Sequence, residues 1–141
     1  LVRQNALISA ESEHAGGIIV DGPPGIGCPV IAAITGADIL LAVTEPTVSG
    51  IHDLKRVTAV AEHFGVPVLV CVNKYDINPY NASLIEEYCS QNGIELVGAI
   101  PYDREVTGAM IRRLTVVEHK CGKTAECVKA MWEKVRKRLE N

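Results

Sequence analysis

Short apolar runs alternate with amphipathic segments along most of the chain. Four runs rich in Ile, Val and Leu predict buried strands: "GGIIV" at 16–20, "ADILLAVT" at 37–44, "VPVLVCVN" at 66–73 and "IELVGAI" at 94–100. Because these runs are apolar at successive positions, we expect helices to cover both faces of each strand.

Helical periodicity fills the gaps between these runs. Residues 49–64 place an apolar stripe on one face and stop before Gly65. Residues 81–93 predict a second helix with Asn81 as its N-cap, and residues 123–139 predict a basic amphipathic last helix. The alternation of strand and helix predicts an α/β fold with a doubly wound, mostly parallel sheet.

Length, composition and charge narrow the class of protein. A chain of 141 residues, 48 % apolar and 22 % charged, is typical of one globular domain with its own core. Its net charge of −3 gives no reason to expect a nucleic-acid partner, and no apolar run approaches the roughly 20 residues that span a bilayer. Five scattered cysteines without a C-x-x-C pair disfavour a zinc site or a disulfide framework and favour a cytoplasmic location.

Polar residues follow each predicted strand. Open parallel sheets bind ligands beyond the carboxyl ends of their strands. The residues that the sequence places there are Asp21, Thr44, Asn73 and Asp103. This clustering predicts a binding site at that edge of the sheet.

The loop "DGPPG" at 21–25 has the chemistry of a phosphate and metal site. Asp21 could hold Mg²⁺ directly or through a water, because hard cations take oxygen ligands. Gly22 and Gly25 leave backbone N–H groups open to a phosphate, while Pro23 and Pro24 stiffen the turn. The alternative is an aspartate that caps a turn beside structural glycines.

The segment "VNKYD" at 72–76 has the chemistry of a purine site. Asn73 offers a donor and an acceptor to a base edge, and the Lys74 stem can lie over a base plane. Asp76 could accept two hydrogen bonds from guanine, so N-K-x-D alone would suggest GTP. The alternative is an asparagine and an aspartate that form a turn after a strand.

Four segments together resemble the MinD/ParA/Mrp group of P-loop ATPases, and most of all MinD-like ATPases with an inserted ferredoxin domain. They are "IIVDGPPGIGCPVI", "GADILLAVTEPTVSGIHDLKRV", "VNKYDIN" and "IPYDREVTGAM". The resemblance runs over residues 1–118, which would be the C-terminal part of the nucleotide-binding domain, and residues 119–141 would add a helix packed on it.

The resemblance implies roles for individual residues. Asp21 would be the Walker B or switch II acid, and Gly25 would belong to the loop that senses the γ-phosphate. Asn73 would contact adenine, and Pro101 and Asp103 would form the rim of the base pocket. The group binds ATP with Mg²⁺, which decides against the GTP interpretation of N-K-x-D. Asp76 would then shape its loop and would not contact the base.

The sequence departs from this group in one respect. It contains no glycine-rich phosphate loop with its lysine, so we expect that loop, and a ferredoxin insert with 4Fe–4S clusters, to lie upstream. The chain alone would then be inactive, because the main stabilisation of the transferred phosphoryl group is missing. The whole protein would be a homodimeric ATPase that switches an interface with an iron–sulfur or electron-transfer partner. A non-catalytic assembly module that pairs with another chain is the alternative.

Overall fold

A three-stranded parallel sheet forms the centre of the computed structural model, which describes residues 2–140. The strands are β1 (Leu40–Thr44), β2 (Val68–Asn73) and β3 (Glu95–Ile100), in the order β1-β2-β3. A 3₁₀ turn at Tyr75–Ile77 follows β2. The helices are α1 (Val2–Ser12), α2 (Cys28–Ile34), α3 (Val48–His63), α4 (Pro79–Gln91), α5 (Glu105–Ile111) and α6 (Gly122–Leu139).

Helices cover both faces of the sheet. On the first face, Leu54 of α3 and Ile85 of α4 pack against Val70 and Val72 of β2. On the second face, Val135 of α6 packs with the alternate residues of the strands, Leu69 and Val97. Because side chains alternate along a strand, the continuous apolar runs supply both layers, as predicted.

The last helix approaches the sheet closely at Gly98. A Cβ atom at this position would lie 3.1 Å from Cβ of Met131 and 3.3 Å from Sγ of Cys71. The pairing between β2 and β3 also shifts here, since Val70 faces Leu96 while Cys71 faces Gly98. The glycine therefore gives α6 room to pack on a locally irregular pair of strands.

Two predictions about element positions are wrong. Residues 16–20 are not a strand: they pair with no strand in the described part of the chain, and Ile19 is 80 % exposed. An apolar run becomes a buried strand only where neighbouring strands take up its N–H and C=O groups. The second correction concerns α4, whose N-cap is Asn78 and not Asn81, because Oδ1 of Asn78 accepts from the Asn81 N–H at 3.0 Å.

No helix within residues 2–140 combines the length and the apolar character that crossing a bilayer requires. The last helix, α6, is basic at its end, where Arg136, Lys137 and Arg138 occupy the final turn. Its apolar side lies against the sheet through Met131 and Val135, while Trp132 is 41 % exposed.

Candidate functional site

The carboxyl ends of the three strands lie along one edge of the sheet. Thr44 pairs with Val72, and Asn73 pairs with Ile100, so the loops that follow the strands start side by side. We call residues 44–47, 73–81 and 101–104 the strand-end loops; they begin at the last residues of β1 and β2 and directly after β3, and the second includes the first residues of α4. The residues predicted to bind the base, Asn73, Lys74, Pro101 and Asp103, all belong to them.

The first two strand-end loops are joined by two contacts. Nζ of Lys74 donates to Oε1 of Glu45 at 2.7 Å, and both side chains are partly exposed. Nδ2 of Asn81 donates to the carbonyl oxygen of Pro46 at 3.1 Å, and the Pro46 side chain is fully buried. The loop after β1 is thus fixed against the loop after β2.

The second and third strand-end loops are joined through Asp76. Its Oδ1 accepts a hydrogen bond from the backbone N–H of Tyr102 at 2.7 Å. By this contact Asp76 fixes the shape of its loop, which is the role expected for it. The bond uses one of the several acceptor sites of the carboxylate.

Both carboxylate oxygens of Asp103 have partners. Oδ1 accepts from the N–H of Glu105 at 2.9 Å, and Oδ2 accepts from Oγ1 of Thr124 at 2.8 Å. Thr124 is 2 % exposed and lies in the first turn of α6. Asp103 therefore fixes the third strand-end loop to the last helix, and a contact with a base would have to come from the loop that it shapes.

The side chain of Asn73 is the exception among these polar groups. It is half-buried at the end of the central strand, and its amide makes no hydrogen bond with any other residue in the range 2–140. A carboxamide has two donor hydrogens and an acceptor oxygen, which matches the mixed edge of a purine. The amide of Asn73 is therefore open to a partner from outside the described residues.

The loop that carries Asp21 is exposed and lies before α2. Asp21, Gly22, Pro24 and Gly25 are all exposed, and Gly22 lies beside Ala33 of α2. Gly25 has φ +90°, a conformation that other residues rarely adopt, and nothing lies within 4 Å of where its Cβ would be. Within residues 2–140, no hydrogen bond or ion pair joins Asp21 to the strand-end loops.

The described residues contain no group of three or more His, Cys, Asp or Glu side chains placed to hold a metal ion. The cysteines in this range are free thiols, and Cys28 at the start of α2 is exposed. Burial raises the pKa of the Cys71 thiol to about 11, with a smaller contribution from Cys127. Cys71 is therefore a neutral core residue near pH 7.

Three residues that organise the loops had not been predicted to do so: Glu45, Asn78 and Thr124. Asn78 carried a usable signal, because an asparagine directly before a proline at the start of a helical pattern is a typical N-cap. Glu45 and Thr124 act on residues 29 and 21 positions away in the sequence, so no local pattern reveals them.

Comparison with known proteins gives relatives but no match to a family model. An uncharacterised protein of Methanocaldococcus jannaschii is 29 % identical over 118 residues, which cover 84 % of this chain and 39 % of that protein. The chloroplastic MinD homologue of Arabidopsis thaliana, a septum site-determining protein, is 32 % identical over 107 residues. That match covers 73 % of this chain and 33 % of the relative.

Solved structures share the fold. The septum site-determining protein MinD of Pyrococcus horikoshii, solved with Mg-ADP, superposes with a TM-score of 0.72 at 21 % identity. The superposition covers 90 % of this chain and 54 % of that structure. The parallel sheet and its helices therefore have the fold of the matching part of MinD.

The relatives found by sequence comparison identify the group of proteins more closely than the fold does. The chain is homologous to the MinD-like P-loop ATPases over about three quarters of its length. It spans only about a third to two fifths of the length of the two relatives named above.

Proposed function

We propose that residues 1–118 form the ATP-binding part of a MinD-like ATPase, with residues 119–141 as a helix of the same domain. The observation that carries this proposal is the unpaired amide of Asn73. The polar side chains around it hold loops together, whereas this amide is free to pair with a ligand. Homology to MinD-like ATPases supports an adenine nucleotide as that ligand.

The base would lie over the strand-end loops of β2 and β3. Asn73 would pair with the adenine edge, the Lys74 stem would cover the ring, and Pro101 with the Asp103 loop would form the rim. The preference for ATP over GTP rests on the homology to MinD-like ATPases, because the hydrogen bond from Tyr102 uses only one acceptor site of the Asp76 carboxylate.

The phosphates and Mg²⁺ would lie toward Asp21. A single exposed carboxylate fits Mg²⁺, which keeps several waters and binds through one or two carboxylates and the phosphates of a nucleotide. Gly22 and Gly25 would let backbone N–H groups approach the γ-phosphate, because the space beside Gly25 is open. Pro24 has no N–H and would instead stiffen this turn. When bound, Mg²⁺ would neutralise charge on the phosphates.

Hydrolysis requires a phosphate loop that this sequence does not contain. The amides and lysine of such a loop supply most of the electrostatic stabilisation in phosphoryl transfer. We therefore assign turnover to a longer polypeptide that contains this chain, and we expect residues 1–141 alone to be inactive.

The resemblance extends the proposal to the biological role. Hydrolysis would reset the loop at 21–27 and so change a homodimer or partner interface. An iron–sulfur or electron-transfer partner, 4Fe–4S clusters in a ferredoxin insert and a cytoplasmic location remain predictions. Iron and acid-labile sulfide, measured in the longest natural polypeptide, test the cluster prediction directly.

The main test measures ATP binding and turnover in that longest polypeptide. We expect Asn73→Ala to weaken ATP binding, and Asp21→Ala to abolish Mg²⁺-dependent turnover while binding is largely retained. Asp38→Ala is the matched control, because this exposed acid lies at the amino end of β1, whereas the strand-end loops lie at the carboxyl ends of the strands. Equal turnover in wild type and Asp21→Ala would remove Asp21 from the mechanism.

A second candidate function is a non-catalytic assembly module. It is favoured by the outer edge of β1, where Val43 is 59 % exposed, and by the exposed apolar residues Ile19 and Val20. An unpaired strand edge with exposed apolar residues can accept a strand from another chain. An absence of ATP binding, together with a stable complex that Val43→Lys disrupts, would favour this candidate.

A further inference from the structure

The contact between Glu45 and Lys74 links the loop after β1 to the residue that follows Asn73. Nζ of Lys74 lies 2.7 Å from Oε1 of Glu45, and the two side chains are 39 % and 41 % exposed. The backbone of Lys74 is left-handed, with φ 54° and ψ 42°. Such a conformation is uncommon outside glycine, so the direction in which this side chain leaves the strand is fixed by the fold.

Glu45 is presented from a rigid loop. The neighbouring Pro46 is fully buried, and its carbonyl oxygen accepts the hydrogen bond from Asn81. On the other side, Thr44 is 8 % exposed and donates to the carbonyl oxygen of Gly50 at 3.1 Å. Lysine has a flexible four-carbon stem, so a fixed carboxylate at its end selects one course for that stem.

The contact also settles which part of Lys74 can face a ligand. The ammonium is engaged with a carboxylate, so its charge is locally balanced and directed toward β1. The methylene stem, by contrast, runs from the backbone of Lys74 to this ion pair and can present apolar surface while the charged end is held by Glu45. A flat purine that pairs with Asn73 could stack on such a surface.

We propose that Glu45 is a positioning residue that holds the Lys74 stem over the purine ring. This inference rests on the function proposed above, because it concerns the same base site. Glu45 itself does not touch the nucleotide and acts through Lys74. An ion pair without this role would affect stability alone and leave nucleotide affinity unchanged.

A double-mutant cycle isolates this coupling. Glu45→Ala, Lys74→Met and the double variant are made in the longest natural polypeptide, and the Kd of a non-hydrolysable ATP analogue is measured by calorimetry. Methionine keeps an unbranched stem but has no charge for Glu45 to hold. Glu62→Ala is the matched control, since Glu62 is an exposed acid near the far end of α3.

The expected result is a loss of affinity that depends on the lysine. Glu45→Ala should raise the Kd about threefold when Lys74 is intact, which corresponds to an energy within the range measured for exposed ion pairs. In the Lys74→Met background it should raise the Kd by less than about 1.5-fold. Glu62→Ala should change neither value. Thermal unfolding of each variant separates a loss of affinity from a loss of folded protein.

Two results would overturn the inference while leaving ATP binding intact. A Kd unchanged by Glu45→Ala would make the contact a surface ion pair only. An equal loss of affinity in both backgrounds would mean that Glu45 acts without Lys74. If the wild-type protein does not bind the analogue at all, the proposed function fails first, and the inference fails with it.

Discussion

Replacement of Gly50 by alanine tests whether the loop after β1 is as tightly packed as the structure indicates. Gly50 is the third residue of α3, where alanine would ordinarily be the better helix former. A Cβ at this position would overlap the carbonyl oxygen of Glu45 and would lie 3.0 Å from the hydroxyl oxygens of both Thr44 and Thr47. We therefore expect Gly50→Ala to destabilise the protein.

The size of the effect follows from two opposing terms. Alanine gains about 1 kcal/mol over glycine in a helix. Forced overpacking costs about 1–3 kcal/mol, and the upper end applies because the Glu45 carbonyl is backbone and cannot rotate away. The shift would also disturb the N-cap, where Oγ1 of Thr47 accepts from the Gly50 N–H at 2.9 Å. The net loss is about 2 kcal/mol.

Thermal or urea unfolding of residues 1–141 measures this loss, which should lower Tm by about 6 °C or more. Gly108→Ala in α5 is the matched control, because a Cβ there meets Nε2 of His119 at 3.5 Å, an ordinary contact. The control should gain stability, up to about 1 kcal/mol. A Gly50→Ala variant as stable as wild type, alongside a stabilised control, would refute the close packing of this loop.

Three further predictions concern stability and pH. Thr124→Val should cost about 1–2 kcal/mol in urea unfolding, because it removes a donor to Asp103, and the loss should shrink in an Asp103→Asn background. Because the pKa of the Cys71 thiol is raised in the folded protein, its contribution to the free energy of unfolding is fully present below about pH 8.5. That contribution is lost as the pH rises toward about 11, by up to about 1.4 kcal/mol per pH unit. Between these pH values, the free energy of unfolding should depend less on pH in Cys71→Ala than in the wild type. An equal pH dependence in the two proteins would contradict the raised pKa of Cys71. The backbone N–H of Thr115 lowers the pKa of Glu118, so its contribution is present above about pH 4.3 and lost on acidification. Glu118→Gln should therefore weaken the acid dependence of Tm, and an unchanged profile would argue against this bond.

The sheet was predictable because its signal is local. The apolar runs before Thr44, Asn73 and Pro101 each became a strand, and Gly65 with φ +67° follows α3 as expected. Continuous apolar residues predict burial on both faces, and turn residues mark where each run ends. The run at 16–20 carries the same signal but lacks a strand partner among the described residues, and sequence alone does not reveal whether a partner exists.

The polar contacts of the site were less predictable for a different reason. Thr44, Asn73 and Asp103 were correctly expected at strand ends, whereas Asp21 was not, because residues 16–20 form no strand. The partners of Asp103 and Asp76, Thr124 and Tyr102, come from other segments of the chain. A carboxylate after a strand looks the same in sequence whether it binds a ligand or fixes a loop. Only the structure distinguishes the two, by showing which oxygens are already occupied.

This distinction changes how the predicted site should be dissected. Asp76, Asp103 and Lys74 already have protein partners, so their replacement alters loops first and a ligand only as a consequence. Asn73 and Asp21 have no such partners within residues 2–140, so their replacement should leave the fold intact. A variant that loses ATP affinity without losing stability is therefore expected at Asn73. At Asp103 the two losses should occur together, because loop geometry and base contact depend on the same carboxylate.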